Sequence, residues 1–478
     1  MSLRAERTAL GARRRGLVLA AALGLALVPL GGAGTRELPL RPCTLKPSVE
    51  ARCGTFTVPE NRAHEGGRTI ALRVAVIPAR DGGSRPDPIV YLAGGPGGSA
   101  VDGALGIQQV FASANESRDI VLVDQRGTGS SNRLDCPVPK RPLGADAKAI
   151  RAYVRACVAR FDEDVRQYTT VPAMEDVAEV VRALGYEQVD VYGVSYGATA
   201  AQYLLAQHPD LVRTAILDGG TLLDVPIFEL WARNGERSLR SILSRCAASP
   251  RCGRAYPRVR SEAFELIATL RRAPVRANGI VIRPAEAAGA LQALTRTPEG
   301  AARIPWIAHR AAVGDWDPLA IAMDENGTGG VETRRLMFWS IVCNEPWARW
   351  NPARTQAAAR GTYLAERTAA DAALVGAVCS AMPKAAQPAW SRARVRSDVP
   401  VLLVVGGDDP QDPLENVRNA RRELPASRTV VVPHAGHGAL QLGCTARVAQ
   451  QFVERGTADG LDTRCVARYT PPPFGVVG

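Results

Sequence analysis

Val189-Asp190-Val191-Tyr192-Gly193-Val194-Ser195-Tyr196-Gly197 is the stretch whose reading decides the fold. It opens as an apolar, β-branched strand and runs on into a helical stretch over 196–207. Between the two stands Gly-x-Ser-x-Gly, the arrangement of a nucleophile elbow. There the serine occupies a tight, strained turn, and the residues two places either side are small because the backbone folds back on them. In a chain with 45 Gly the bare pattern is a weak signal, and a Gly-rich turn is the competing reading. The strand before it and the helix after it favour the elbow.

Outward from this turn the same alternation continues. Residues 55–58 and 69–77 read as strands; 89–92, 120–123 and 189–192 read as short apolar runs typical of buried parallel strands. Over 174–184, Val177, Val180, Val181 and Leu184 share one helical face, and Gly185 stands at the C-cap position. Residues 215–217 are strand-like. From 221 to about 398 strand-like runs disappear, the chain reads as helices broken by Gly and Pro, and all seven Trp fall here. Strands resume at 399–405 and 428–432, with a helix expected over 414–423. Strands alternating with helices predict a doubly wound α/β sheet. The expected organisation is a leader at 1–34, a first core part at 35–220, a helical insertion at 221–397 and a second core part at 398–478.

The chemistry follows from three further loops. Leu92-Ala93-Gly94-Gly95-Pro96-Gly97-Gly98-Ser99 follows a strand directly. Glycines there let backbone N–H groups approach the negative charge that acyl transfer builds on a carbonyl oxygen. In an elbow site one donor comes from such a loop, here Gly95, and the other from the residue after the nucleophile, here Tyr196. No Gly-Lys-Ser/Thr follows, which argues against a nucleotide loop. A serine also needs a histidine to take its proton, and that histidine needs a carboxylate to fix its tautomer. His437, in Pro433-His434-Ala435-Gly436-His437-Gly438 after the last strand, fits the order Ser, Asp, His; His434 competes. The acid lies in Gly406-Gly407-Asp408-Asp409-Pro410-Gln411-Asp412-Pro413. Pattern favours Asp409, with Asp408 and Asp412 as alternatives.

Composition sets the compartment and excludes some partners. The net charge is +12, of which residues 1–34, with five Arg and one Glu, contribute +4. The remaining +8 is interleaved rather than gathered into a stripe, so no nucleic-acid footprint is expected. Arg13-Arg14-Arg15, the short apolar run 16–30 and Gly31-Gly32-Ala33-Gly34 predict a cleaved export signal by the general or the twin-arginine route. The run is too short for a bilayer span, so no membrane anchor is expected after cleavage. The ten cysteines are an even count in an exported chain and predict disulfides. They fall as neighbours: Cys43/Cys53, Cys136/Cys157, Cys246/Cys252, Cys343/Cys379 and Cys444/Cys465. Neighbour pairing is the simplest guess, though spacing does not fix connectivity. The five scattered His and the lack of Cys-x-x-Cys speak against zinc, and no metal or cofactor is expected.

With these residues in place the chain resembles the α/β-hydrolase serine peptidases typified by proline iminopeptidase and the secreted tripeptidyl aminopeptidases. The matching stretches are YLAGGPGGS (91–99), VDQRGTGSS (123–131), YGVSYGA (192–198), GGDDPQDP (406–413) and PHAGHG (433–438). Ala93 replaces the histidine common before the paired glycines, and Asp412 stands where threonine is usual. The resemblance implies an α/β-hydrolase fold, a mostly parallel sheet flanked by helices with a mainly helical cap insertion. It also supports neighbour pairing of the cysteines. It implies release of N-terminal amino acids or short peptides from a substrate with a free amine. Ile341-Val342-Cys343-Asn344-Glu345 resembles the family's segment bearing an amine-binding acid, which points to Glu345, with an exposed Glu beside a structural cystine as the competing reading. Trp339 and Trp347 flank it as candidate pocket walls, though core packing is the favoured reading for each. Asp124-Gln125-Arg126-Gly127 is read as scaffold at a strand end. A carboxylesterase on the same triad is the alternative, and a silent binding protein a third reading. The expected location is secreted or periplasmic.

Overall fold

The computed structural model describes residues 38–64, 66–137, 139, 146–325 and 336–476. The expected export signal at 1–34 lies outside them. Eleven strands are present among the described residues: β1 (Arg41–Leu45), β2 (Val49–Pro59), β3 (Thr69–Ile77), β4 (Ile89–Leu92), β5 (Ile120–Val123), β6 (Val189–Val194), β7 (Val212–Asp218), β8 (Val275–Ala277), β9 (Ile280–Ile282), β10 (Val401–Gly406) and β11 (Ser427–Val432). Nine of them form one sheet in the order β1-β2-β3-β5-β4-β6-β7-β10-β11. The pairings β1/β2, β2/β3 and β3/β5 are antiparallel and the rest are parallel. This is the α/β-hydrolase fold.

Burial explains the composition of each strand. β4, β5 and β10 have no exposed residue, so they read as unbroken apolar runs. β2 lies toward the antiparallel edge and alternates buried with exposed positions. Val90 and Leu92 join the core under helices Thr170–Ala183 and Tyr196–Gln207. Ile89 and Tyr91 point the other way, into the core with Ile107, Val110, Val448 and Phe452 of helices Ala104–Val110 and Thr445–Arg455. Each such aliphatic side chain contributes about 1.5–3 kcal/mol on burial.

Sequence order reverses at β4, whose two neighbours are β5 and β6. The crevice beyond such a reversal is where ligands bind in open α/β sheets. Both the Gly94–Gly98 loop after β4 and Ser195 after β6 sit at that end.

Three expectations need correction. The segment 221–398 is not free of strands, since β8 and β9 form a hairpin. Asn278 and Gly279 join them with φ of 43° and 76°, the backbone that a two-residue hairpin turn demands. The α-helix expected over 414–423 is instead two 3-10 turns, Leu414–Val417 and Ala420–Arg422. Asn419 between them takes φ 60°, and Asn416 turns inward to Thr221 Oγ1 at 2.8 Å, so the helical ladder breaks. Third, the sequence reading placed no helix between β5 and residue 174 ahead of the one at 174–184, yet Ala147–Val158 is helical. Asp146 caps it by accepting the N–H groups of Lys148 and Ala149, and its buried stripe is Ile150, Val154 and Cys157. Cys157 was thus read as a bare staple position, whereas it is also the last buried residue of a helical face.

All five neighbouring cysteine pairs are joined: Cys43–Cys53, Cys136–Cys157, Cys246–Cys252, Cys343–Cys379 and Cys444–Cys465. The bond from Cys157 to Cys136 fastens that helix to the segment after β5, and both cysteines are buried in the core with Leu134 and Val154.

The segment after β5 is also anchored by buried charge. Arg126 is fully buried; Nε and Nη2 reach both carboxylate oxygens of Asp176 at 2.6 and 2.8 Å, and Nη1 donates to the carbonyls of Glu60 and Gln167. Asp124 accepts from Ser99 Oγ at 2.8 Å and from the N–H groups of Val101 and Ser130 at 3.1 Å, tying the glycine loop to the β5 loop. Truncating one partner of a buried pair strands the other charge. Asp176→Ala is therefore expected to destabilise the oxidised protein by about 3–5 kcal/mol in urea denaturation. Asp462→Ala, which breaks only an exposed pair with Arg464, is expected to leave the midpoint unmoved.

Candidate active site

Ser195 follows β6 with φ 56° and ψ −121°, a backbone that L-residues rarely adopt. The flanking glycines allow it. A Cβ on Gly193 would stand 2.2 Å from the carbonyl oxygen of Gly197, and one on Gly197 would stand 2.0 Å from that of Leu92. The Ser195 N–H donates to the Asp218 carbonyl at 2.9 Å, pinning the turn to the end of β7. The glycine loop lies directly over the serine, since a Cβ on Gly94 would be 3.2 Å from Ser195 Cβ. Gly95, with φ 125°, lines the same cavity as Ser195 and Tyr196. As the first residue of its helix, Tyr196 has an N–H with no intrahelical acceptor. Two backbone N–H groups thus border the serine.

His437 and Asp409 meet at 2.9 Å, Nδ1 to Oδ2. The other oxygen of Asp409 accepts the N–H groups of Gln411 and Asp412 at 2.8 and 2.9 Å. Burial opposes the charge on Asp409, but His437 and these two donors outweigh it and hold its pKa below the ordinary carboxylate value. Burial likewise opposes the imidazolium, yet Asp409 and, more weakly, Asp412 leave the His437 pKa raised. A carboxylate accepts only, so Nδ1 carries the proton and Nε2 is left as the base in the neutral ring. Nε2 is buried and makes no hydrogen bond to a described protein group, Ser195 included.

Of the alternatives, His434 is placed apart, whereas Asp412 stays beside the ring. His434 is 45% exposed with Nδ1 3.7 Å from Asp408, and it lines a different surface pocket with Arg245 and Phe474. Asp412 stands 3.6 Å from His437 Nδ1 and accepts from Thr221 Oγ1. Burial, with Asp409 beside it, pushes the Asp412 pKa up to about 6.

Glu345 is buried in the wall of the Ser195 cavity. Its oxygens accept from Thr170 N–H and Thr170 Oγ1, each at 2.8 Å. The same hydroxyl lies 2.8 Å from Tyr196 Oη, so two short contacts connect the carboxylate to the residue after the serine. Burial raises its pKa to about 7, against bonds from Thr170 and Tyr203 and the charge of Arg349.

Trp339 and Trp347 do not line the cavity: Trp339 packs into the core, and Trp347 stacks on Trp350 at 4.0 Å between ring centroids. Phe228, Trp231 and Phe338 form the apolar wall instead. No cysteine lines it either; Cys157 and its partner Cys136 lie in the core with Leu134 and Val154. Sequence reading missed Tyr203, although Tyr196, Thr199 and Tyr203 share a helical face at i, i+3 and i+7 and all line the cavity. It also missed Asp218. That carboxylate accepts the N–H groups of Ala439 and Leu440 at 2.8 and 3.1 Å and holds the loop after His437. An acid at the carboxyl end of a buried strand was the available signal. Among the described residues no cluster of side chains could hold a metal ion.

These features belong to a serine hydrolase of the α/β-hydrolase fold, and residues 87–247 match the family described as alpha/beta hydrolase fold. Residues 366–465 match the family described as TAP-like protein. The tripeptidyl aminopeptidase of Streptomyces lividans is 24% identical over 466 residues, covering 88% of this chain and 85% of that one. Serine protease Hip1 of Mycobacterium tuberculosis is 29% identical over 191 residues, 35% of this chain and 36% of its own. Carboxylesterase B of the same species is 32% identical over 168 residues, 34% and 29% of the two chains.

With His437 proposed as the base, only its neutral ring can act, and a raised pKa then places the acid limb of kcat/KM above pH 6.5. Removing an anion beside the ring lowers that pKa. Asp412→Asn is expected to move the limb to lower pH with activity retained. Asp409→Asn is expected to cost about three to four orders of magnitude in kcat, because the ring loses its tautomer. Rate profiles of both variants from pH 5 to 9 check this; equal losses would reverse the assignment of the acid.

Proposed function

We propose that the protein is an exported serine peptidase that removes N-terminal amino acids or short peptides through an acyl-enzyme. The observation that carries this reading is Glu345, a buried carboxylate in the wall of the cavity that holds Ser195. A buried acid there suits a substrate ammonium by charge-assisted hydrogen bonding. The likeness to the tripeptidyl aminopeptidase over most of both chains supports the same class. Five disulfides favour an oxidising compartment, and among the described residues no helix is long and apolar enough to cross a membrane.

Substrate enters between the sheet and the helical segment 221–397, with its ammonium at Glu345. Ser195 Oγ attacks the carbonyl carbon while His437 Nε2 takes the hydroxyl proton. The N–H groups of Gly95 and Tyr196 hold the oxyanion. His437 then gives its proton to the departing amine, and the acyl-enzyme forms. Water, activated by the same nitrogen, releases the acid and restores the serine.

The carboxylesterase reading is favoured by the similarity to carboxylesterase B and by the apolar wall of Phe228, Trp231 and Phe338. Three substrate sets separate the readings: aminoacyl and tripeptidyl nitroanilides, their N-acetylated forms, and nitrophenyl esters. An aminopeptidase loses activity on acetylation, an esterase does not, and Ser195→Ala abolishes turnover in either. Turnover that survives Ser195→Ala would remove the serine from its role.

Glu345 adds a pH signature. It becomes a carboxylate above about pH 7, whereas a peptide α-amine loses its charge near pH 8. KM for free-amine substrates is therefore expected to be lowest between these values. Glu345→Gln should raise that KM and flatten its pH dependence while nitrophenyl esters keep theirs. An equal rise on esters would make Glu345 structural.

A further inference from the structure

We propose that Arg349 and Arg392 form an anion subsite in the Ser195 cavity, one that takes a carboxylate carried on the side chain of the substrate's N-terminal residue. The inference rests on the reading of Ser195 as nucleophile and Glu345 as amine anchor, and extends it to substrate class.

Unspent charge is the first observation. Both arginines line the cavity. Arg349 is half-buried and spends Nη1 on the Leu223 carbonyl at 2.6 Å. Among the described residues neither arginine has a carboxylate within ion-pair distance. Arg62, Arg118, Arg126, Arg213 and Arg394 each reach an acid at 2.9 Å or less, whereas half-buried Arg237 bonds only carbonyls and Arg245, beside His434, also has no described acid within ion-pair distance. Arg392 is exposed, so the cost falls on half-buried Arg349, whose guanidinium is partly out of water without an anion and has a second cation beside it. Burial and the charge of Arg392 both lower the pKa of Arg349. Such a pair is relieved by an anion from outside, and the forked guanidinium donors suit a carboxylate.

Surplus donors in the same cavity are the second observation. Trp231 Nε1 is buried without a partner, and so is the side-chain amide of Gln387; both residues line this cavity. Buried polar groups are ordinarily paired, so these donors also point at a ligand rich in acceptors.

Position fixes where on the substrate the anion lies. Arg349 and Glu345 are close enough for each to shift the proton affinity of the other, yet they form no ion pair within 4.0 Å. A group on Arg349 therefore lies near the ammonium on Glu345. In a peptide the α-carboxyl of the first residue is already in an amide, which leaves the side chain. An N-terminal Glu or Asp carries both charges at that spacing.

The test is a set of isosteric pairs: Glu- and Gln-nitroanilide, Glu-Ala-Ala- and Gln-Ala-Ala-nitroanilide, and mono-4-nitrophenyl glutarate against 4-nitrophenyl glutaramate, each corrected for uncatalysed hydrolysis. The kcat/KM ratio of acidic to neutral member is expected to be about tenfold in the wild type, as when a built polar group meets its partner. Arg349→Gln and Arg392→Gln should each lower that ratio about tenfold, and salt should lower it in the wild type. Thermal melts identify a variant that fails to fold, in which case the other variant decides. A wild-type ratio of one or less, or a ratio unmoved by the folded variants, overturns the subsite. If the esters turn over and no nitroanilide does, the aminopeptidase reading falls, and the ester pair alone decides the subsite.

Discussion

The serine at position 195 is held in a backbone conformation that costs about 1–3 kcal/mol, and the rest of the molecule depends on keeping it there. Three neighbours do so. The carbonyl of Asp218 takes the Ser195 N–H, the main chain of Leu92 presses against Gly197, and Gly193 lies against the backbone of Gly197. All belong to, or directly follow, the parallel strands β4, β6 and β7, which carry almost no exposed residue. A strained turn on a loop would relax. Between fully buried strands it has nowhere to go.

Asp218 links this turn to the second half of the site. Its main chain holds Ser195, while its side chain holds the loop after His437 through Ala439 and Leu440. Its neighbours show how donors sort buried acids. Asp409, with a cation and two N–H groups, is driven below the ordinary value, whereas Asp412 faces Asp409 and rises to about 6. Asp218 rises to about 6 and Glu345 to about 7, burial being the first cause in both. Carboxyl groups in one site thus take different proton affinities, set by burial, local donors and neighbouring charge.

How much of this could be read from the sequence depends on the range of the interaction. β4 and β5 were legible to the residue because full burial demands unbroken apolar runs. The β8–β9 hairpin was missed although Asn278-Gly279 marks it, because its strands have only three residues each and little periodicity. The helix carrying Cys157 was missed because its buried stripe is only three residues wide and is set among Lys148, Arg151 and Arg155. The helix expected at 414–423 failed for another reason: Asn416 is committed to Thr221, far away in the chain. The glycine-rich loops were visible because close backbone approach excludes side chains. Arg349 and Arg392 were invisible, since an arginine without an acid is recognised only when its surroundings are known.

The division of labour follows from these ranges. The elbow, the glycine loop and the histidine loop all sit at the carboxyl ends of sheet strands, where the core fixes geometry. Glu345, Arg349, Phe228 and Trp231 come from the stretch between β7 and β10, where Glu345 is held by Thr170 and stands two residues from the Cys343–Cys379 bond. Substitutions there alter charge and shape around the substrate without touching a strand of the sheet. The sheet cannot tolerate comparable change, because a Cβ at Gly193 or Gly197 would collide with main chain at 2.2 Å or less. The Ser195 turn is therefore confined to the part of the molecule least able to accept an added side chain.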